Sequence, residues 1–244
     1  MTVSVEGVIV DLDGTLLTIE KRFHKVFNDV LMRFGREKIS RRSFLRKFHN
    51  NQLYHLPFGQ GRHNALKTKR FWKAFLTSYG QRQYARYSRP IKGAREAIED
   101  VRRHGIQIAV ITGRACCLSA VAKELGDIGI RKHVDVIVTK ATALRSAKLD
   151  QITSRCAELQ EALKRLGLAA RRCAFVADYV EDIRSARPLG IATVAVQTGS
   201  SSLTLLKKEK PDYIIRSIRE LPRLLETPLS KRVHKPAKSP STSP

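Results

Sequence analysis

Two aspartates follow an apolar run near the start of the chain, and their types and spacing suit chemistry on an anion. The run 8–10 is followed by Asp11, Leu12, Asp13 and Gly14. Because side chains alternate along a strand, Asp11 and Asp13 leave it on the same side, and Gly14 allows an immediate turn. Two carboxylates on one side favour a bound cation. One can attack an electrophile while the other transfers a proton.

A parallel α/β fold is predicted to position these groups. An uncharged, β-branched run such as 8–10 is typical of a strand buried on both faces. From Pro90 onward helical and strand-like patterns alternate, which indicates a Rossmann-like parallel sheet with helices on both faces. Further strands are predicted at 106–111, 134–138, 173–177, 191–196 and 213–215. Ligands bind at the carboxyl ends of such strands, and four side chains are expected there together: Asp11, Asp13, Thr112 and Asp178.

Residues 18–88 have a different character, because no strand-like run occurs among them. Apolar residues recur there at helical spacing, and Gly35 is a predicted helix C-cap. Another helix is predicted from about Leu149 to Leu166. We therefore predict a discontinuous α/β core (1–17 and 89–226), an inserted small helical cap (18–88) and a basic, Pro/Ser-rich disordered tail (227–244).

The chain is strongly basic, with 46 Lys and Arg against 22 Asp and Glu, a formal net charge of +24. Residues 18–88 alone hold 17 Lys and Arg against three acids. Such a balance favours anionic partners, either phosphorylated metabolites or nucleic acid. Most of these side chains are expected on solvated helix faces. Five are candidates for contacting the substrate: Arg41, Arg42, Arg46, Lys47 and Arg62.

Cysteine usage and hydropathy favour a cytoplasmic protein. The four cysteines show no CxxC pair and no metal-like spacing with histidine, which fits a reducing compartment. No apolar run approaches the roughly 18–20 residues that span a bilayer. The N-terminal residues lack a signal-peptide pattern. We expect no membrane partner.

Four segments resemble, in order and spacing, the motifs of the haloacid dehalogenase-like superfamily of phosphohydrolases. They are Asp11-Leu12-Asp13-Gly14-Thr15, Ile111-Thr112-Gly113, a lysine after the third strand, and Phe175 to Asp182. The insertion lies where that family places its type 1 helical cap. The resemblance implies that Asp11 is the nucleophile and forms an aspartyl-phosphate, that Asp13 is the general acid and base, and that Thr112 binds phosphate oxygens.

The resemblance also implies a Mg²⁺ cofactor. Its ligands would be the Asp11 carboxylate, the Asp13 backbone carbonyl and Asp178, with Asp182 in support. Gly113 and Arg114, which follow the second motif, are expected at the substrate. Lys148 is favoured as the third-motif lysine because it stands just before the next predicted helix, whereas Lys140 is expected to be a surface residue.

Two positions depart from the family pattern. Ala177 and Tyr179 flank Asp178 where the fourth motif usually has Gly or an acid before and often Ser after. Thr18 replaces an acidic residue that is common shortly after the first motif. Neither change removes a group that the chemistry requires, and the presence of Asp13 favours phosphate chemistry over dehalogenation.

The leading prediction is a Mg²⁺-dependent phosphatase of a small phosphorylated metabolite, similar to phosphoglycolate phosphatases, with the cap closing over the substrate. Two alternatives stay open. One is a phosphomutase of the same superfamily. The other is a nucleic-acid-associated basic protein in which the hydrolase site is secondary. For the phosphatase, at most weak, nonspecific nucleic-acid binding at low salt is expected.

Overall fold

The core of the structure is a six-stranded parallel sheet. This computed structural model describes residues 2–3, 5–143, 154–226 and 229–230. The two end strands pair only with each other, antiparallel, and the other six lie in the order β4-β3-β2-β5-β6-β7. The strands are β1 (Thr2–Val3), β2 (Gly7–Asp11), β3 (Gln107–Thr112), β4 (Val136–Thr139), β5 (Cys173–Ala177), β6 (Ala192–Val196), β7 (Tyr213–Ile215) and β8 (Leu229–Ser230).

Helices cover both faces of the sheet. Alternate residues of β2 reach opposite sides: Val8 and Val10 pack in one buried apolar cluster, and Ile9 packs in another. This is the Rossmann-like α/β architecture that the sequence predicts. The helices are α1 (Glu20–Arg33), α2 (Arg41–Phe48), α3 (Arg62–Tyr79), α4 (Ala94–Arg103), α5 (Leu118–Asp127), α6 (Lys140–Ala143), α7 (Cys156–Leu166), α8 (Val180–Ala186), α9 (Leu203–Lys208) and α10 (Leu221–Glu226).

The strand order reverses beside β2. The chain runs from β2 to β3 and β4 on one side, and then returns to β5, β6 and β7 on the other. In register, Asp11 lies opposite Ile111 of β3, and Val10 lies opposite Val176 of β5. The carboxyl ends of β2, β3 and β5 are therefore neighbours at a topological switch point, where open α/β sheets bind ligands.

Three helices, α1 to α3, and a 3₁₀ helix (Arg82–Tyr87) stand between β2 and α4, and no strand occurs in this described stretch. They pack around their own aromatic cluster, which includes Phe27, Phe44 and Phe71. α1 ends at Arg33 and its C-cap is Phe34, one residue before the predicted C-cap Gly35, which follows with a φ of 66° that favours glycine. We call residues 18–88 the helical insertion. Its status as a separate cap stays a prediction.

Some predicted boundaries differ from the structure. The helix expected from Leu149 begins at Cys156, and Ser154 and Arg155 are not helical. Their backbone groups bond elsewhere: the Ser154 carbonyl accepts from Lys140 (2.7 Å), and the Arg155 N–H donates to Ser185 Oγ (3.0 Å). Lys148 and nearly all of the predicted tail lie outside the described residues. Within the part of the chain that the structure describes, no helix is both long and apolar enough to cross a membrane.

Candidate active site

The structure brings the predicted carboxylates together at the carboxyl edge of the sheet. Asp11 is the last residue of β2, Asp178 follows β5, and Asp182 lies in the first turn of α8. All three are at least 98% buried. Thr112, the last residue of β3, is also buried. A charged cluster at this depth requires opposite charge or hydrogen bonds to be stable.

Two glycines make room for Asp178. Gly14 has a φ of +94°, and a Cβ there would lie 2.5 Å from Asp178 Cγ. A Cβ on Gly199 would overlap the same carboxylate. The Ser200 N–H and hydroxyl donate to Asp178 Oδ2 at 2.6 and 2.9 Å. The Thr198 hydroxyl donates to the Gly14 carbonyl at 2.7 Å, so the loop after β6 holds Asp178 against the turn after β2.

Burial weakens the acidity of this cluster. It raises the pKa of Asp178 to about 7, although the hydrogen bonds from Ser200 oppose the shift. Burial, together with the neighbouring carboxylate Asp182, raises the pKa of Asp11 well above its usual range. Asp11 Oδ1 is buried without a hydrogen-bond donor. A cation beside this oxygen would favour the ionised form of Asp11.

Arg155 is the cation that the structure places among these groups. Its Nε lies 3.1 Å from Asp182 Oδ1, its Nη1 3.5 Å from Glu158 Oε1 and its Nη2 3.8 Å from Asp11 Oδ1. A Cβ on Gly113 would overlap this guanidinium. Burial lowers the pKa of Arg155, but Asp182 and Asp11 raise it by more, so the net shift is upward and the guanidinium stays charged. The sequence analysis missed Arg155.

Asp13 is held by a second arginine. Arg114 donates to both its oxygens, from Nε at 2.7 Å and from Nη2 at 2.5 Å, and also contacts Glu124 at 2.7 Å. The Tyr79 hydroxyl donates to Asp13 Oδ1 at 3.2 Å. Burial pushes the pKa of Asp13 up, but Arg114 more than offsets it and the net shift is downward. Arg114, predicted to contact the substrate, lines the cavity with its guanidinium engaged by these two carboxylates.

The expectation that Lys140 is a surface residue was wrong. Lys140 is 95% buried, and its Nζ lies 3.4 Å from Glu158 Oε1. Burial lowers the pKa of Lys140, and Glu158 opposes that shift. The reason for the burial is α7, which brings Glu158 across the end of β4. The favoured third-motif residue, Lys148, lies outside the described residues, and its role stays a prediction.

A cavity of about 230 Å³ separates the strand ends from the helical insertion. The core side contains Asp11, Asp13, Gly113, Arg114, Arg155, Asp178, Tyr179, Asp182 and Ser200. The side formed by the insertion is almost wholly apolar or aromatic, and it consists of Ile19, Phe23, Phe48, Asn51, Leu53, Tyr54, Trp72, Phe75, Leu76 and Tyr79.

The five basic residues proposed to contact the substrate do not line this cavity. The structure places them elsewhere because α2 and α3 turn their aromatic stripes inward, and their charged side chains then face outward. Arg41, for example, lies 3.7 Å from the carboxylate of Glu20. Lys47 is half-buried, and the other four are exposed: Arg41, Arg42, Arg46 and Arg62.

Further hydrogen bonds link the insertion to the core, in addition to the bond from Tyr79 to Asp13. The Tyr179 hydroxyl donates to Asn51 Oδ1 at 3.0 Å, and the Ser202 N–H donates to the His49 carbonyl at 3.0 Å. Tyr179 is one of the two residues that depart from the family's fourth motif. Its side chain reaches the insertion.

The chemistry of the donor set fits Mg²⁺. Within the described ranges, no three Asp, Glu, His or Cys side chains form a complete metal cage. Mg²⁺ does not require one, since it usually binds one or two carboxylates, several waters and substrate phosphate. Asp11 Oδ1, which has no hydrogen-bond donor, and the adjacent Asp178 carboxylate supply oxygen ligands of this kind.

Buried carboxylates lie at the switch point of the parallel sheet and face a cavity under the helical insertion, which is where an α/β protein of this kind binds its ligand. A sequence profile of the haloacid dehalogenase-like hydrolases matches residues 8–196. The chain belongs to this family. The predictions of the family, of the Rossmann-like fold and of an enzyme are thereby confirmed.

Individual relatives share about a quarter of their residues with this chain, or fewer. A candidate pyrophosphatase PpaX from Caldanaerobacter subterraneus is 26% identical over 223 residues, covering 91% of this chain and 95% of the relative. Pyrophosphatase PpaX from Oceanobacillus iheyensis is 23% identical, covering 89% and 95%. The crystal structure of a predicted phosphoglycolate phosphatase from Haemophilus somnus has a TM-score of 0.67 and 19% identity, covering 90% of this chain and 97% of that one.

Proposed function

We propose that the protein is a Mg²⁺-dependent phosphatase that hydrolyses a small phosphorylated metabolite through an aspartyl-phosphate on Asp11. One observation carries this proposal: Asp11 Oδ1 is buried at the wall of the cavity without a hydrogen-bond donor, within 3.8 Å of the Arg155 guanidinium. A carboxylate oxygen in that position is available for attack on phosphorus. The names of the relatives, which concern pyrophosphate and phosphoglycolate, agree with chemistry on phosphate.

In the first step, Asp11 attacks the phosphorus atom, the bond from phosphorus to the ester oxygen breaks, and protonated Asp13 transfers its proton to the leaving oxygen, which departs towards the insertion. The family resemblance assigns the Thr112 hydroxyl and the backbone N–H groups after β3 to the phosphoryl oxygens. Arg155 supplies positive charge on the same side. A Mg²⁺ ion held by Asp11, the Asp13 carbonyl and Asp178, with Asp182 nearby, would reduce the repulsion between the nucleophile and the phosphate.

In the second step, water hydrolyses the aspartyl-phosphate. Asp13, left as a carboxylate by the first step and stabilised in that form by Arg114, which lowers its pKa, accepts the proton of that water. Tyr79 and Arg114 also fix its orientation. The aromatic side of the insertion excludes bulk water from both steps, which strengthens the electrostatic interactions inside.

The test is phosphate release by the wild type and by Asp11→Asn, with and without chelation of divalent cations. Asp11→Asn should show no turnover, because an amide is not a nucleophile for phosphorus and is a poor Mg²⁺ ligand. Asp127→Asn is the matched control: Asp127 is on α5, its side chain is 62% exposed, and it pairs with Lys123 at the surface. EDTA should stop the wild-type reaction and added Mg²⁺ should restore it. Turnover by Asp11→Asn near the wild-type rate would exclude the proposed nucleophile.

A further inference from the structure

We propose that the cavity selects phosphate monoesters whose leaving group is a compact, uncharged apolar ring, and discriminates against leaving groups that carry a second negative charge. This inference rests on the proposed function, because it assigns the insertion side of the cavity to the leaving group. The proposed substrate differs from those in the names of the relatives, since pyrophosphate and phosphoglycolate each carry a second anionic group.

The first argument is the composition of the cavity wall opposite Asp11. Phe23, Trp72 and Leu76 are partly exposed there and come from α1 and α3. Tyr54 and Trp72 stack with an interplanar angle of 4°, and Trp72 Nε1 donates to the Tyr54 carbonyl at 2.9 Å. The indole N–H is thereby satisfied within the insertion, so Trp72 requires no polar partner from a ligand.

The second argument is the position of the cations. None of the 17 Lys and Arg side chains of the insertion lines the cavity. Among the described residues that do line it, the cations are Arg114 and Arg155, and both are engaged by core carboxylates. A carboxylate or second phosphate placed against the aromatic wall would lose its hydration without gaining a counter-charge, which is strongly unfavourable.

The third argument is size. The cavity of about 230 Å³ is smaller than the roughly 300–1,000 Å³ common for drug-sized ligands. The phosphoryl group occupies the core side of this space. The remainder suits a single ring and excludes a whole nucleoside. The geometry therefore favours a phosphorylated benzyl-type alcohol or an aliphatic ring of similar size.

Binding can be measured without turnover, because Trp72 is the single tryptophan of the chain and lines the cavity. Its fluorescence is titrated in the presence of Mg²⁺ with benzylphosphonate and with phosphonoacetate, which have an uncharged ring and a carboxylate, respectively. Benzylphosphonate should bind at least about tenfold more tightly, since one buried ring contributes that much affinity and a buried unpaired carboxylate opposes it.

Turnover tests the same discrimination with esters of similar intrinsic reactivity. Benzyl phosphate and phosphoglycolate are both esters of primary alcohols, so a difference in kcat/KM between them reports recognition of the leaving group. Pyrophosphate is included because relatives carry that name. Benzyl phosphate should exceed both by about tenfold or more in kcat/KM.

A pair of matched variants on α3 tests the wall directly. Leu76→Arg puts a cation on the cavity wall, whereas Leu66→Arg makes the same change at a position that is 59% exposed and outside the cavity. Leu76→Arg should lower kcat/KM for benzyl phosphate and raise it for phosphoglycolate, so that the preference shifts by about tenfold or more. Leu66→Arg should leave the preference unchanged.

The outcomes separate this inference from the proposed function. Release of phosphate from phosphoglycolate or pyrophosphate as fast as from benzyl phosphate, with equal binding of the two phosphonates, would overturn the inference and leave the phosphatase standing. Selective binding of benzylphosphonate without phosphate release from any ester would overturn the phosphatase and leave the ligand class standing. Loss of preference in Leu66→Arg as well would show that the wall is not its source.

Discussion

Replacing Arg155 by alanine should reduce kcat/KM by about 10²–10³, which is the effect of removing one preorganised donor that stabilises a transition state. The structure supports this magnitude. Arg155 Nη2 lies 3.8 Å from Asp11 Oδ1, and two unit charges at that distance interact by about 4 kcal/mol at an effective dielectric constant near 20. Negative charge that develops on phosphoryl oxygens beside Asp11 is stabilised by a similar amount.

The assay is steady-state phosphate release on folded protein over a range of pH. The folding control matters, because a buried carboxylate that loses its partner can cost about 3–5 kcal/mol of stability, and Asp182 and Glu158 both contact Arg155. Arg155→Lys keeps the charge and should recover part of the rate. Arg165→Ala is the matched control, since Arg165 lies on α7 and donates to the Ile137 carbonyl at 2.8 Å, outside the cavity.

The pH profile distinguishes a role at the reacting atoms from a role in folding alone. Arg155 lowers the pKa of Asp11 against the larger upward effects of burial and Asp182. Without Arg155 the pKa of Asp11 rises, so the ascending limb of kcat/KM should move to higher pH. Arg155→Ala could instead keep kcat/KM within about threefold of wild type and leave the ascending limb of its pH profile unmoved. That result would refute the reasoning, because a threefold loss is far smaller than the loss expected for a transition-state donor.

Three further predictions concern other parts of the chain. Lys148→Ala should lower kcat by orders of magnitude if Lys148 is the third-motif lysine, whereas Lys140→Ala should mainly lower the melting temperature, because it leaves Glu158 buried with one partner fewer; kinetics and thermal unfolding of both variants separate the two effects. Mg²⁺ should raise the melting temperature more near pH 8 than near pH 5.5, because the pKa of Asp178 is raised to about 7 and protons compete with the ion below that pH. Asp178→Asn should abolish that difference. The basic outer face of the insertion should bind duplex DNA at about 50 mM salt and release it near 200 mM, with hydrolysis retained; tight binding in a gel shift at the higher salt would instead support a nucleic-acid function.

The sheet and the aspartates were predictable because local rules determine them. Strand periodicity places Asp11 and Asp13 at the end of β2, and the alternation of strands and helices requires the ends of β2, β3 and β5 to meet. Asp178 and Thr112 follow from the same rule. The positions of these side chains follow from where each strand ends, and local sequence patterns predict the strand ends.

The residues that were missed or misplaced depend on side chains packed from distant parts of the chain. Arg155 precedes a helix, and no local pattern shows that its guanidinium reaches Asp11. Lys140 is buried against Glu158, which lies 18 residues further along the chain on α7. The charge count of the insertion favoured an anionic partner, but it did not show which faces of α2 and α3 point into the cavity.

The separation between a basic exterior and an apolar interior has a kinetic consequence. Most of the 17 basic side chains of the insertion face solvent and none of them lines the cavity, so their field acts on a phosphate ester mainly during its approach. Such a field increases the rate of diffusional encounter and is screened by salt. The charges of the insertion therefore affect how often an anion reaches the cavity. Contacts inside the cavity determine which anion stays bound long enough to react.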